Sequence, residues 1–181
     1  MFSENLDDLR YPLGRYSKTE HPSESQILEW IETIENLPKD LKNLVKNLTL
    51  EQLQWPYRPE GWNIKQVIHH LADSHMNSII RFKLVLTEDL PTIKPYYEDR
   101  WALLKDNNEN DISHTLSLLN GLHAKWGILL RSLTKDDLMR EYIHPEYGKQ
   151  LNLEETIGIY AWHCKHHLAH IQQALKYVGK F

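Results

Sequence analysis

Histidine is the residue type whose placement in this sequence points most directly to chemistry. Of the 11 histidines in the 181-residue chain, three fall between residues 69 and 75 and four fall between residues 163 and 170. Neutral imidazole is the commonest metal ligand in proteins, and side chains four residues apart lie on the same face of a helix. The two clusters therefore suggest a metal site that is built from two separate helices.

The C-terminal cluster contains two histidine pairs with this spacing. At about 100° per residue on a helix, His163 and His167 border the apolar stripe, whereas His166 points well away from it. We therefore favour His163 and His167 as ligands of one divalent ion. His170, in line with both, is predicted to be a hydrogen-bond partner of the ligands.

A third ligand must come from elsewhere in the fold, because a catalytic metal usually has at least three protein ligands. On a second predicted helix, a polar line borders the apolar stripe, starting at His70 and continuing through Ser74, Asn77 and Arg81. His69 falls on the opposite border, and His75 falls within the apolar face, where a hydrogen-bonded core histidine is expected. The sequence thus predicts a three-histidine site made by His70, His163 and His167.

Other kinds of active site are disfavoured. The residue after His163 is Cys164 rather than glutamate, so the H-E-x-x-H motif of zinc peptidases is absent. Cys164 lies on the predicted apolar face and fits the role of a small buried hydrophobic residue. The sequence also has no G-x-S-x-G nucleophile elbow, no Walker loop and no dinucleotide-binding glycine motif.

Four long amphipathic segments would position the histidines. They are predicted to begin with capping patterns at Ser23–Gln26, Asn63–Gln66 and Asn152–Glu155, and near Asp111 for the third. The first has an apolar stripe that continues to Leu48, and the others end before Pro91, at Ser132 and at Gly179. Pro38 should kink or interrupt the first helix.

These segments define an all-α fold. We expect one domain over residues 1–181, a four-helix bundle with short connecting helices and a small hairpin between Tyr142 and Leu151. Bundles of this kind often hold metal ions on inward-facing side chains of separate helices.

Composition and charge indicate which partners the protein has and where in the cell it works. The net charge of -4 and the even spread of lysine and arginine argue against nucleic acid as a partner. No apolar stretch approaches the roughly 20 residues of a membrane-spanning helix, and the first residues lack the features of a secretory signal. A single cysteine fits a reducing compartment. We expect a cytoplasmic protein that acts on a small molecule.

Longer strings around the histidines resemble the DinB/YfiT-like metalloproteins. The strings are Val67–Asn77 and Trp162–His170, with further matches at Tyr11–Tyr16, Gly61–Trp62, Arg81–Leu84 and His144–Pro145. The resemblance implies a four-helix bundle, a divalent metal held by His70, His163 and His167, a homodimer, and metal-dependent hydrolase activity. Related proteins are also described as bacillithiol-type thiol S-transferases. Cys164 and Lys165 depart from the small or histidine residues of the family pattern.

Three possible functions follow from such a site. Three neutral imidazoles leave a divalent ion, Zn or Ni in our prediction, with an open position that suits the activation of water. We expect a hydrolase, with Asp73 as a base or as a partner of a ligand. The alternative is a transferase that joins a low-molecular-weight thiol such as bacillithiol to an electrophile, with Arg81 holding the carboxylates of the thiol. A second alternative is a non-enzymatic metal-binding protein.

Overall fold

Four long helices form the bundle that the sequence predicts. The computed structural model describes residues 5–146 and 148–181. The long helices are α2 (Glu24–Val45), α3 (Ile64–Thr87), α5 (Ser113–Arg131) and α7 (Leu153–Lys176). Helix α2 packs against α5 and α7, and α3 packs against the same two helices. Helices α2 and α3 therefore lie at diagonal corners, and α3 faces α7 directly.

Short elements connect these helices. They are α1 (Leu6–Arg10), a 3₁₀ helix at Gln52–Gln54, α4 (Glu98–Trp101), a 3₁₀ helix at Asp106–Asn108, α6 (Lys135–Leu138), β1 (Glu141–His144) and β2 (Lys149–Asn152). Strands β1 and β2 form the predicted antiparallel hairpin, with Tyr142 opposite Leu151. The Ile143 N–H donates to the Pro91 carbonyl at 2.9 Å, which docks the hairpin on the segment after α3.

Side-chain caps fix where the long helices begin. The Asn63 side chain accepts from the Gln66 N–H, and the Gln66 side chain accepts from the Asn63 N–H, which completes the capping box predicted for α3. Asn152 caps α7 from its side chain. Ser23 also caps α2, but the Gln26 side chain donates to a neighbouring glutamate instead of reaching back. The box predicted at Ser23 is therefore only half formed.

Helix α2 continues through Pro38, so the interruption that the sequence allowed at this residue does not occur. Proline has no N–H, so the carbonyl four residues earlier, that of Ile34, loses its usual helical donor. His123 of α5 takes the place of that donor, with its Nδ1 2.6 Å from the Ile34 oxygen. A hydrogen bond from another helix thus replaces the one that proline removes.

The apolar stripes of the four helices meet in one core. Its largest fully buried side chains include Ile34, Leu37, Leu41, Ile64, Ile68, Leu71, Phe82, Leu119, Trp126, Leu130 and Leu153. His75 and His123 lie among them, at 0% and 1% exposure. Buried imidazoles need hydrogen-bond partners, since an unpaired polar group in a core is destabilising. Within the described residues, no helix combines the length and apolar character required to cross a membrane.

Candidate metal centre

His70 on α3 meets His163 and His167 on α7 between these two helices. The Nε2 atom of His163 lies 3.4 Å from Nε2 of His70 and 3.1 Å from Nε2 of His167. One ligand atom from each residue falls within 4.8 Å of the other two. Over residues 5–146 and 148–181, no other set of three or more metal-ligating side chains is gathered in this way.

Two of the three nitrogen separations match those expected around a single divalent ion. With Zn–N bonds of 2.0–2.1 Å and tetrahedral angles, two ligand nitrogens should lie about 3.3 Å apart, and the two observed separations are 3.1 and 3.4 Å. Burial lowers the pKa of His70 to about 4. Burial and neighbouring imidazoles hold the pKa values of His163 and His167 well below their usual range. The rings are therefore neutral near pH 7 and each has a lone pair available.

A cavity of about 800 Å³ opens onto the three histidines. Its walls combine aromatic rings, such as Trp62 and Tyr160, with cationic side chains, such as Arg58 and Arg81. A volume of this size is typical of small-molecule sites, which usually hold about 300–1,000 Å³. The side of the site that faces the cavity thus has room for a small substrate.

The structure does not bring Asp73 to the three histidines. Its Oδ2 accepts a hydrogen bond from Asn107 Nδ2 at 2.5 Å, and burial raises the pKa of the carboxyl group. The described residues that line the cavity do not include Asp73. Its predicted role in catalysis therefore has no supporting contact, and the polar interaction that it does make ties α3 to the 3₁₀ helix at Asp106–Asn108.

Arg81, by contrast, lines the cavity. Its Nε is buried without a hydrogen-bond partner, and its Nη2 has only a long contact, 3.5 Å, to the Lys94 carbonyl. A guanidinium with unused donors is suited to pairing with an anionic group. The predicted role of Arg81 in binding a thiol cofactor remains a prediction.

His69, the residue before His70, faces a different helix. His69 Nδ1 lies 2.8 Å from Thr115 Oγ1, and its Nε2 lies 3.2 Å from the Glu109 carbonyl oxygen. These partners lie on and before α5, away from the metal centre. Of the two adjacent histidines, it is His70 that the structure places beside His163 and His167.

His166 does not extend into solvent, although the helix pattern pointed it away from the apolar stripe. It is 6% exposed, and its ring stacks on Trp162 at 4.3 Å and on Tyr11 at 5.9 Å between centroids. The N-terminal segment covers this face of α7, which local periodicity does not reveal. Cys164 is 1% exposed, and burial raises the pKa of its thiol, which confirms its interpretation as a small core residue.

Two histidines that flank the candidate ligands have the contacts that the sequence predicted. His75 is buried and hydrogen-bonded, with Nε2 3.1 Å from His163 Nδ1. His170 contacts His167, at 3.3 Å between their Nδ1 atoms. His123, whose Nε2 lies 2.8 Å from His75 Nδ1, was not among the residues predicted from the sequence. The available signal was an isolated histidine within the apolar stripe of α5.

Comparison with known proteins places the chain in a family. The sequence model of the DinB superfamily matches residues 33–171, and the chain belongs to this superfamily. A Bacillus subtilis (strain 168) protein named "Putative metal-dependent hydrolase YfiT" is 46% identical, over 95% of this chain and 97% of its own. A Bacillus cereus (strain 03BB102) protein named "Putative metal-dependent hydrolase" is 47% identical, over 94% and 98%.

A solved structure agrees with this placement. The B. subtilis YfiT structure superposes with a TM-score of 0.92 at 46% sequence identity, covering 95% of this chain and 98% of that one. It is described as having an unusual four-helix bundle topology. The predicted fold and family are thereby confirmed.

Proposed function

We propose that this chain is a single-domain, divalent-metal-dependent hydrolase in which His70, His163 and His167 hold one ion, zinc or nickel. The observation that supports this most directly is the convergence of three Nε2 atoms beside a cavity of small-molecule size. Three protein ligands leave at least one coordination position open, as in catalytic rather than structural zinc sites. A bound ion would lower the pKa of a coordinated water to about 7 and polarise a substrate oxygen.

The residues around the ligands have defined tasks in this proposal. The Trp62 ring packs on His70 at 4.7 Å between centroids, and the Tyr160 ring packs on His163 at 5.5 Å. These contacts restrict rotation of the two imidazoles. The remaining cavity wall would bind the organic part of a small-molecule substrate.

A second candidate function is metal-dependent transfer of a low-molecular-weight thiol to an electrophile. The observation that favours it is the buried, unpartnered Nε of Arg81 in the wall of the same cavity. A guanidinium in this position could pair with a carboxylate of a thiol cofactor such as bacillithiol.

A homodimer and a cytoplasmic location also remain predictions.

Activity assays on the metal-loaded chain distinguish these functions. Protein loaded with Zn²⁺ or Ni²⁺ would be tested for ester and amide hydrolysis, and in parallel for consumption of monochlorobimane with bacillithiol. We expect hydrolysis that a chelator abolishes and that His70→Ala lacks, with His69→Ala on the same helix as the matched control. Thiol conjugation without hydrolysis would replace the hydrolase proposal. Metal binding without either reaction would leave a non-enzymatic metal-binding protein.

A further inference from the structure

Five imidazoles around the metal centre are linked into two hydrogen-bonded chains, and each chain ends at a backbone carbonyl. The longer chain runs from the Ile34 oxygen to His123, then to His75, and then to His163. Its three links measure 2.6, 2.8 and 3.1 Å. It crosses from α2 through α5 and α3 to α7, so it joins all four long helices.

The carbonyl at the end of this chain decides where every proton lies. A carbonyl oxygen can only accept, so His123 Nδ1 carries a hydrogen, and in a neutral ring Nε2 is then an acceptor. His75 must therefore donate from Nδ1 and accept at Nε2, and His163 must donate from Nδ1. The Nε2 atom of His163 is left with its lone pair, facing His70 and His167. Burial lowers the pKa of His123 to about 4, in keeping with neutral rings.

In the shorter chain, a backbone carbonyl fixes the tautomers in the same way. His170 Nε2 lies 3.0 Å from the Arg10 carbonyl oxygen and so donates to it, which makes His170 Nδ1 an acceptor. His167 then donates from its Nδ1, 3.3 Å away, and its Nε2 lone pair also faces the metal centre. The Tyr57 ring stacks on His170 at 3.8 Å between centroids and holds it in plane.

Both anchoring carbonyls are oxygens that their own helices leave without a donor. Ile34 stands four residues before Pro38, which has no N–H to give. Arg10 is the last residue of α1, where the terminal carbonyls have no intrahelical partner. The backbone thus supplies two acceptors with no competing helical N–H.

We propose that His75, His123 and His170 are positioning residues that fix His163 and His167 in the tautomer whose Nε2 lone pair faces the metal ion. This inference rests on the proposed metal site. Partners that orient ligand imidazoles in this way typically affect metal affinity by 10–100-fold when removed. Apolar side chains at positions 75 and 123 would fill the core without requiring any partner.

The tautomers can be measured without any metal. Two-bond ¹H–¹⁵N spectra of the histidine rings in the metal-free, ¹⁵N-labelled chain distinguish a hydrogen on Nδ1 from one on Nε2. We expect His75, His123, His163 and His167 to carry it on Nδ1, and His170 to carry it on Nε2. His163 or His167 with the hydrogen on Nε2 would overturn the inference, whatever the variants show.

Variants remote from the ion test the consequence for metal binding. In His123→Leu, which removes the acceptor of His75, we expect His163 to lose its single tautomer and Zn²⁺ affinity to fall about 10–100-fold against a competing chelator. His123→Gln keeps a donor and an acceptor and should lose less. His69→Gln, at another buried histidine, should bind like the wild type, and thermal melts check that each variant is folded.

These outcomes separate the inference from the function on which it rests. Wild-type affinity in a folded His123→Leu variant would overturn the positioning role and leave the metal site intact. A wild-type chain that binds no metal would refute the proposed function, and the spectrum of the metal-free protein would still decide the tautomers.

Discussion

Lowering the pH should destabilise the metal-free protein, because its core contains imidazoles that are neutral when folded. Burial lowers the pKa of His123 from its usual 6.5 to about 4. Between these two pH values the unfolded chain binds a proton at His123 and the folded chain does not, so the free energy of unfolding falls as the pH falls. At about 1.4 kcal/mol per pH unit, His123 alone accounts for about 3 kcal/mol. That is a large part of a typical stability of about 5–15 kcal/mol.

Urea unfolding of the metal-free wild type and of His123→Leu, at steps from pH 7 to pH 4, measures this contribution. The free energy of unfolding of the wild type should fall throughout this range. That of the variant should fall less steeply, by about 1.4 kcal/mol per pH unit between the usual and the lowered pKa of His123. The difference between the two free energies of unfolding should therefore change by about 3 kcal/mol across the range. Parallel curves would show that His123 is not held neutral by burial and would refute the reasoning.

Three further predictions concern the helix ends and the ion. Gly179→Ala should destabilise the fold by more than Gly14→Ala in urea unfolding. Both glycines have positive φ, a conformation that costs a residue with a Cβ about 1–2 kcal/mol. Of the two, only Gly179 would also bring the added Cβ against a side chain, that of Trp55, at 2.7 Å. Arg140→Met should cost about 1–3 kcal/mol in the same assay, since it strips the donors from two carbonyls at the end of α3. Zn²⁺ at 100 times its dissociation constant should raise the free energy of unfolding by about 2.7 kcal/mol, and a His163→Ala variant should show no such increase.

The parts of the fold that sequence predicts are those with local causes. The long helices were predictable because their apolar stripes repeat with the helical period and because Asn63 and Asn152 cap from their own side chains. The same periodicity placed His163 and His167 on one border of the α7 stripe. It also separated His70 from His69, since adjacent residues on a helix point about 100° apart.

The remaining features depend on which helix packs against which. Nothing local pairs His123 with the carbonyl that Pro38 leaves free, because the two residues belong to helices joined only by tertiary packing. Asp73 shares the polar side of α3, yet its partner is Asn107 from a connection whose path the sequence pattern does not fix. The burial of His166 has a similar cause, since Tyr11, which stacks on its ring, lies far away in sequence.

Metal titration of ligand variants tests the central claim most directly. Purified, metal-stripped chain would be titrated with Zn²⁺ against a chromophoric chelator, alongside His70→Ala, His163→Ala and His167→Ala, with His69→Ala as the matched control. We expect one equivalent of tightly bound Zn²⁺ in the wild type and in the control, and loss of that equivalent in each of the three ligand variants. Wild-type affinity in any of those three, or no binding by the wild type, would contradict the three-histidine site.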